Sequence, residues 1–376
     1  MMWRKRRLAL VVLTLALICT GCLETKILEE MGLSVIVGYD PDEDGKITGT
    51  SLLHQIDPGA KENVIVVGTT SDTSKGIRNK QNREMSKRVV SGQLRVAVYN
   101  EKIARNGIMP LVDTLKRDPS ISNTMYLIVS RGKAESIIAH DYPEIVNIGS
   151  YLYKMIRQNI RGEQIVSCTL HEFLQAYYSE GLDPVLPIAR QVGDEIHLES
   201  TAIFLDDKMV GELNMEETFL LKMMKGRYRA GSLELVLDAE PLKEVVKNLK
   251  DSELKLVVEN IHSKTNIKLV TPSPPTYRID IKLEGRIQEI SSELNLGQQE
   301  ILRVIEQGIS DRLATRTKMM IDKAKKLKAD PIGLGEVYRS TIRGSKLTRE
   351  RWREIYPDVK VDISIKTKII RSGVSD

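Results

Sequence analysis

From Gln298 to about Lys328, apolar residues recur at Ile301, Ile305, Ile309, Leu313, Met320, Ala324 and Leu327. Steps of three, four and seven place them on one stripe of a helix. Roughly thirty residues at about 1.5 Å each give a rod on the order of 45 Å, which Asp330-Pro331 stops. A stripe this long must be covered, and its neighbours in the chain indicate by what. Before it, Leu233 to Leu237, Leu254 to His262 and Tyr277 to Gln288 alternate apolar and polar residues as strands do, and Pro272-Ser273-Pro274-Pro275 makes a loop between the last two. After it, Val359, Val361, Ile363, Ile365, Thr367 and Ile369 alternate with polar residues, as in a strand with one wet face. This order predicts a multidomain α+β chain of two to three mixed domains, its C-terminal domain a mostly antiparallel sheet crossed by one long amphipathic helix. The stripe would also suit a partner helix, but covering its own sheet is the expected use.

Upstream, Leu33 to Tyr39 and Lys46 to Gln55 read as strands joined by an Asp-rich turn, and Leu94 to Tyr99 and Met125 to Val129 as further strands. Residues 57–83 are polar apart from Val64 to Val67. One helix is expected over Ile103 to Leu115, another from Ala134 to Ala139 and a third over Gly149 to Ile160. Thr169 and Glu172 form a capping box that starts a fourth. Asp183-Pro184 to Pro187 closes the segment in an extended stretch. Leu198 to Leu205 and Lys208 to Leu213 form a hairpin around Asp206-Asp207, followed by a helix from Glu216 to Met224. The expected divisions are residues 1–21, 22–195 (splitting again near 140–150) and 196–373, with the long helix at about 298–328.

The amino end sets the address. Arg4, Lys5, Arg6 and Arg7 precede an apolar run from Leu8 to Ile18 broken only by Thr14, and small residues lead to Cys22. Charged start, short apolar middle and small-residue end are the parts of a secretory signal. At about 13 residues to Thr20, the run is shorter than the roughly 20 that a spanning helix needs. Thr20 and Gly21 before Cys22 match lipoprotein processing, with cleavage between Gly21 and Cys22 and acyl chains on Cys22. Cys19 stands where Leu is usual, three residues before the cut. Residues 1–21 are thus an export signal, and Leu23 to Met31 form at most a helical turn or two before the first strand. Two acyl chains give stable anchoring where one is marginal.

Removing that signal takes four of the 56 basic residues, leaving 52 against 51 acidic ones. A net charge near +1 provides no electrostatic footprint for nucleic acid. Only Cys168 follows Cys22, so no internal disulfide framework exists. Asp40-x-Asp42-x-Asp44-Gly45 matches the first half of a calcium loop, yet the twelfth position is Ser51 in place of Glu and the flanks are strands, so a solvated turn explains it. The histidines at 54, 140, 171, 197 and 262 have no metal-ligand spacing. Gly333-Leu334-Gly335 is too short, and too far from a preceding strand, to cradle phosphate. Glu172 beside His171 is accounted for as a cap, Cys168 as a small core residue, and Trp352 and Tyr356 as the face by which a short helix docks. No enzyme, metal or cofactor is expected.

Several stretches together resemble one family. Ala329-Asp330-Pro331-Ile332-Gly333-Leu334-Gly335-Glu336, then Trp352, Tyr356-Pro357-Asp358-Val359 and Lys366 to Gly373, resemble the signature end of the Ger(x)C family, the lipoprotein C subunits of nutrient germinant receptors of endospores. Leu111 to Pro119, Asp183 to Pro187, and Ala202-Ile203-Phe204 through Lys208 to Leu213 resemble its earlier motifs, in the same order from Cys22 to about Gly373. Leu23 stands where the family has Trp after the lipid-bearing cysteine, and Tyr356 where Phe is commoner. The resemblance implies a three-domain α and β body without a catalytic centre. It implies a place on the outer face of the spore's inner membrane and two integral-membrane partners, the A and B subunits. Cys22 is the one functional residue it transfers; a ligand-binding residue is not indicated. From a different class, a solute-binding lipoprotein delivering a small ligand to a transporter is the alternative, and the all-strand stretch from 233 to 288 argues against it.

Overall fold

The computed structural model describes residue 3 and residues 28–56, 63–228, 231–247 and 249–370. Cys22 and Gly21, with the expected signal apart from Trp3, lie outside the described residues.

The first sheet is built from β1 (Met31–Pro41), β2 (Ile47–Gln55), β3 (Val64–Ser71), β4 (Arg88–Val90), β5 (Val96–Asn100), β6 (Tyr126–Ser130), β7 (Val185–Val192), β8 (Glu195–Leu205) and β9 (Lys208–Leu213). Its order is β3-β2-β1-β5-β6-β7-β8-β9, with β4 also on β1. The centre, β1-β5-β6-β7, is parallel, and both flanks are antiparallel. Val96, Ala97, Val98 and Tyr99 on β5 and Leu127, Ile128 and Val129 on β6 are fully buried. Such unbroken apolar runs are what a parallel strand covered on both faces requires. The coverings are α1 (Ser74–Glu84), α2 (Glu101–Asn106), α3 (Met109–Lys116), α4 (Ala134–Ala139), α5 (Ile148–Arg161) and α6 (Leu170–Tyr178). The expected division at 195/196 falls inside this sheet's last hairpins, since β7 pairs with β8 across it and β9 carries the sheet to Leu213.

The second sheet contains β10 (Arg227–Tyr228), β11 (Ser232–Asp238), β12 (Glu253–Pro272), β13 (Pro275–Ile290) and β14 (Lys360–Ile369). It is antiparallel except where β14 joins β13 in parallel register, Thr276 opposite Lys360 through Gly285 opposite Ile369. That exception follows from the crossover between them, because a helix returns the chain to the end where β13 began. The crossover includes α9 (Gln299–Lys326). Six of its seven stripe residues, Ile301 to Ala324, are buried, and Leu327 is half-buried. The helix lies against β14, β11 and α7 (Met215–Met224), so the stripe covers its own sheet. Three shorter helices, α8 (Glu240–Lys243), α10 (Leu334–Thr341) and α11 (Arg349–Ile355), complete the fold. A multidomain α+β architecture with the long C-terminal helix is therefore what forms.

Three expectations change in detail. The single helix over Ile103 to Leu115 is two, parted at Gly107 (φ +116°). The break is tertiary in origin: the β8–β9 turn caps α3, Asp207 accepting from Ile108 N at its carbonyl (3.0 Å) and from Met109 N at its carboxylate (2.9 Å). Residues 57–83 contain β3 and most of α1. This helix buries Gln81, whose amide donates to the carbonyls of Gly49 and Val67 and accepts from Ser51 Oγ. A buried glutamine interrupts the apolar period that would reveal an amphipathic helix. Finally, the extended stretch after Asp183-Pro184 does not end at Pro187 but runs to Val192 as β7.

Candidate functional site

The motif residues converge on one place, the joint between the two sheets. Asp330 follows α9 and is fully buried. Its Oδ1 accepts from Ile332 N (3.2 Å) and Gly333 N (2.8 Å), and its Oδ2 from Gly335 N (2.9 Å) and Trp352 Nε1 (3.1 Å). Three of these donors are backbone groups entering α10, whose first N–H groups have no partner within the helix. Gly333 sits at φ +88°, the left-handed region, which lets the chain fold back over its own aspartate.

A second buried carboxylate ties this loop to the first sheet. Asp183, just before β7, accepts from Asp330 N (2.7 Å), and Asp183 N donates to the Asp330 carbonyl (2.9 Å). Burial pushes both carboxyls above their ordinary range, Asp330 to about 7, even though the N–H groups of Gly335 and Gly333 pull it down. Two glycines allow the crossing. A Cβ on Gly181 would stand 2.3 Å from the Gly335 carbonyl carbon, and one on Gly335 would stand 2.5 Å from Gly181 Cα and 2.8 Å from the Trp352 ring. Glu336 N donates to the Gly181 carbonyl (3.2 Å), and Ser179 Oγ to Glu336 Oε1 (2.5 Å).

The rim is ionic. Arg349 donates to Asp206 Oδ1 (2.6 Å), to the Ser179 carbonyl (2.9 Å) and to the Tyr177 carbonyl, while Arg353 reaches the same Asp206 oxygen (2.5 Å). Burial raises the Asp206 carboxyl, but the hydrogen bonds from Arg353 and Arg349 outweigh it and hold the group below its usual range. Trp352 and Tyr356 are buried side by side, ring centroids 5.6 Å apart, and Tyr277 Oη donates to the Leu334 carbonyl (2.8 Å). The short helix α11 thus docks by these two rings, as expected.

The other candidates are elsewhere. Asp42 and Asp44 are exposed in the β1–β2 turn, whereas Asp40 is buried and accepts from Asn100 Nδ2, Ala134 N and Glu135 N, capping α4. The three aspartates therefore do not act together. Cys168 is buried, and that burial pushes its thiol pKa up, away from nucleophilic use. Glu172 completes the capping box with Thr169. Gly333 and Gly335 donate their N–H groups to Asp330 and have none to offer a phosphate. Among the described residues no group of three His, Cys, Asp or Glu is placed to hold a metal, and no helix is long and apolar enough to cross a membrane. Gly181, Asp206, Arg349 and Arg353 were not legible as site residues, since each depends on a partner more than a hundred positions away.

The joint clamps 177–187 against 330–356 through the buried Asp183 and Asp330 carboxylates and, at a partly exposed rim, through Asp206. Residues 24–191 match the family described as Spore germination protein N-terminal domain, and residues 199–373 match Spore germination B3/GerAC like, C-terminal. The chain is 26% identical to spore germination protein GerQC of Bacillus cereus, covering 99% of this chain and 100% of that one. It is 22% identical to spore germination protein KC of Bacillus subtilis (strain 168), covering 99% and 97%. Its fold is similar to the crystal structure of the GerBC protein, with a TM-score of 0.57 at 20% identity over 89% of this chain and 97% of that one. The residues clamped at the joint fall in both matched regions, and the chain belongs to the Ger(x)C family of spore germination proteins.

Proposed function

We propose that this protein is a lipid-anchored, non-catalytic subunit of a spore germinant receptor. Acyl chains on Cys22 hold it on the outer face of the cell membrane, which becomes the inner membrane of the spore. It acts in nutrient-triggered germination by assembling with integral-membrane A and B subunits. The observation that carries this is the pair of family regions, which follow in order from residue 24 to residue 373, directly after the proposed anchor. The buried carboxylates of the joint support the non-catalytic part, because their oxygens accept from backbone and indole donors. The division into 22–195 and 196–373 is proposed as well. The family boundaries at 191 and 199 support it, although strand pairing carries the first sheet on to Leu213.

The test is germination of spores carrying Cys22→Ala, with the protein followed in inner-membrane fractions. Failure with nutrients, alongside normal germination by non-nutrient triggers, is the expected result. If those spores respond normally, a full deletion in a strain without sister receptors decides. Normal nutrient germination there refutes the receptor role.

A further inference from the structure

Beside the joint lies a cleft of about 640 Å³, within the range of small-molecule sites. Phe173 and Ala176 of α6, Val185 of β7, Met224 of α7, and Ile332 and Val337 at α10 give it an apolar lining drawn from both halves of the chain. Most of its polar groups are already satisfied. Glu172 Oε2 accepts from Ser167 Oγ (2.6 Å), Thr169 N (3.1 Å) and Thr169 Oγ1 (2.6 Å). Lys222 pairs with Glu163 (2.7 Å) and donates to the Ile165 carbonyl (2.6 Å), and Asp183 is held by Asp330 N.

Among the described lining residues the side chains of Gln175 and Lys225 are exceptions, and Lys225, which follows the last residue of α7, is the charged one. Its ammonium has no hydrogen bond or ion pair among the described residues. Water reaches this side chain, yet the surrounding protein desolvates it enough to lower its pKa despite the attraction of Glu172 and Asp330. Both facts follow from a place in the wall of a cleft. An exposed ammonium at the edge of an apolar cleft, with no protein partner among the described residues, favours an anion that brings its own apolar surface. Among the described residues lining the cleft, Lys225 is the one cation without a protein partner, and a single carboxylate matches its single charge.

We propose that this cleft binds a small organic monocarboxylate with an apolar body, its carboxylate paired with the Lys225 ammonium and its body against Phe173, Met224 and Val337. The site is independent of the receptor assembly proposed above, because binding is read on the isolated protein and assembly on spores. An occupant would touch α6, α7 and α10 together and so stiffen the joint.

The experiment is isothermal titration of the full chain in lipid nanodiscs with 4-phenylbutyrate, with empty nanodiscs subtracted. The neutral 4-phenylbutyramide is titrated in parallel. Saturable binding is expected for the carboxylate, at least tenfold weaker for the amide, and at least tenfold weaker for the carboxylate in Lys225→Gln. Val337→Trp, which fills the cleft from a half-buried position, should abolish binding in a protein with an unchanged circular dichroism spectrum. Three results each overturn the proposal: no saturable binding at millimolar carboxylate, equal affinity for the amide, or equal affinity in a folded Lys225→Gln protein.

Discussion

Replacing Asp330 by alanine removes one side chain and leaves four donors facing an apolar methyl group. Three are backbone N–H groups at 2.8 to 3.2 Å, and the fourth is the Trp352 indole N–H at 3.1 Å. At about 1 kcal/mol net per hydrogen bond the loss is roughly 4 kcal/mol, and more where a donor remains buried without a partner, at about 1–3 kcal/mol each. Against a typical stability of about 5–15 kcal/mol, that is enough to open the joint ahead of the rest of the molecule. The chain offers its own reporter: its two tryptophans are Trp3 and Trp352, so Trp352 is alone in a protein produced from residue 22 onward. Urea unfolding should be followed by its fluorescence and, in parallel, by far-ultraviolet circular dichroism. In the wild type the two transitions should coincide. In Asp330→Ala the fluorescence transition should move to lower urea and separate from the dichroism. Asp330→Asn keeps one acceptor oxygen but turns an amide N–H₂ toward two donors, so an intermediate loss of about 2 kcal/mol is expected. If Asp330→Ala shifts stability by less than about 1 kcal/mol with both probes still coincident, the carboxylate is not what holds the joint.

Gly335→Ala separates packing from propensity by sign: in a helix alanine is better than glycine by up to about 1 kcal/mol, but here its Cβ would meet Gly181 and the Trp352 ring. A lowered thermal midpoint is therefore expected, and a raised one would contradict the close approach. At the rim, a double-mutant cycle on Asp206→Ala and Arg349→Ala should give a coupling of about 1 kcal/mol, since the side chains are partly exposed and solvent screens them. Zero coupling in urea titrations would remove that pair from the clamp. The pH response has a definite sign. Burial lifts Asp330 to about 7 in the folded chain, while an unfolded aspartate titrates near 3.9. The folded form thus binds the extra proton between those values. The stability this supplies is complete below about pH 4 and lost as pH rises through 7. The stability difference between wild type and Asp330→Asn should accordingly fall across that interval, and a flat or rising difference would refute it.

Local signals explain most of the elements that could be read directly. The capping box at Thr169, the helix from Glu216 and the hairpin around Asp206-Asp207 are set by residues within a few positions of one another. The stripe of α9 is legible for the same reason, because a single face repeats over seven turns. Failures occur where a distant partner intervenes. Gly107 breaks its helix where the Asp207 turn, a hundred residues on, takes the N–H groups of Ile108 and Met109. Gln81 serves as a core residue because the carbonyls of Gly49 and Val67 need its amide.

The same division holds for the site. By itself the sequence determined the fold class, the long helix with its sheet, and the ordered motifs that place the chain in its family. These depend on periodicity, composition and short spacing, all of which are local. Only the tertiary structure decided that Asp183, Asp206, Asp330, Arg349 and Trp352 form one joint, and that Lys225 stands at the cleft beside it without a partner among the described residues. Hydrogen bonds and desolvation depend on which groups approach within a few ångströms, and for residues more than a hundred positions apart that distance is set by how the two sheets pack.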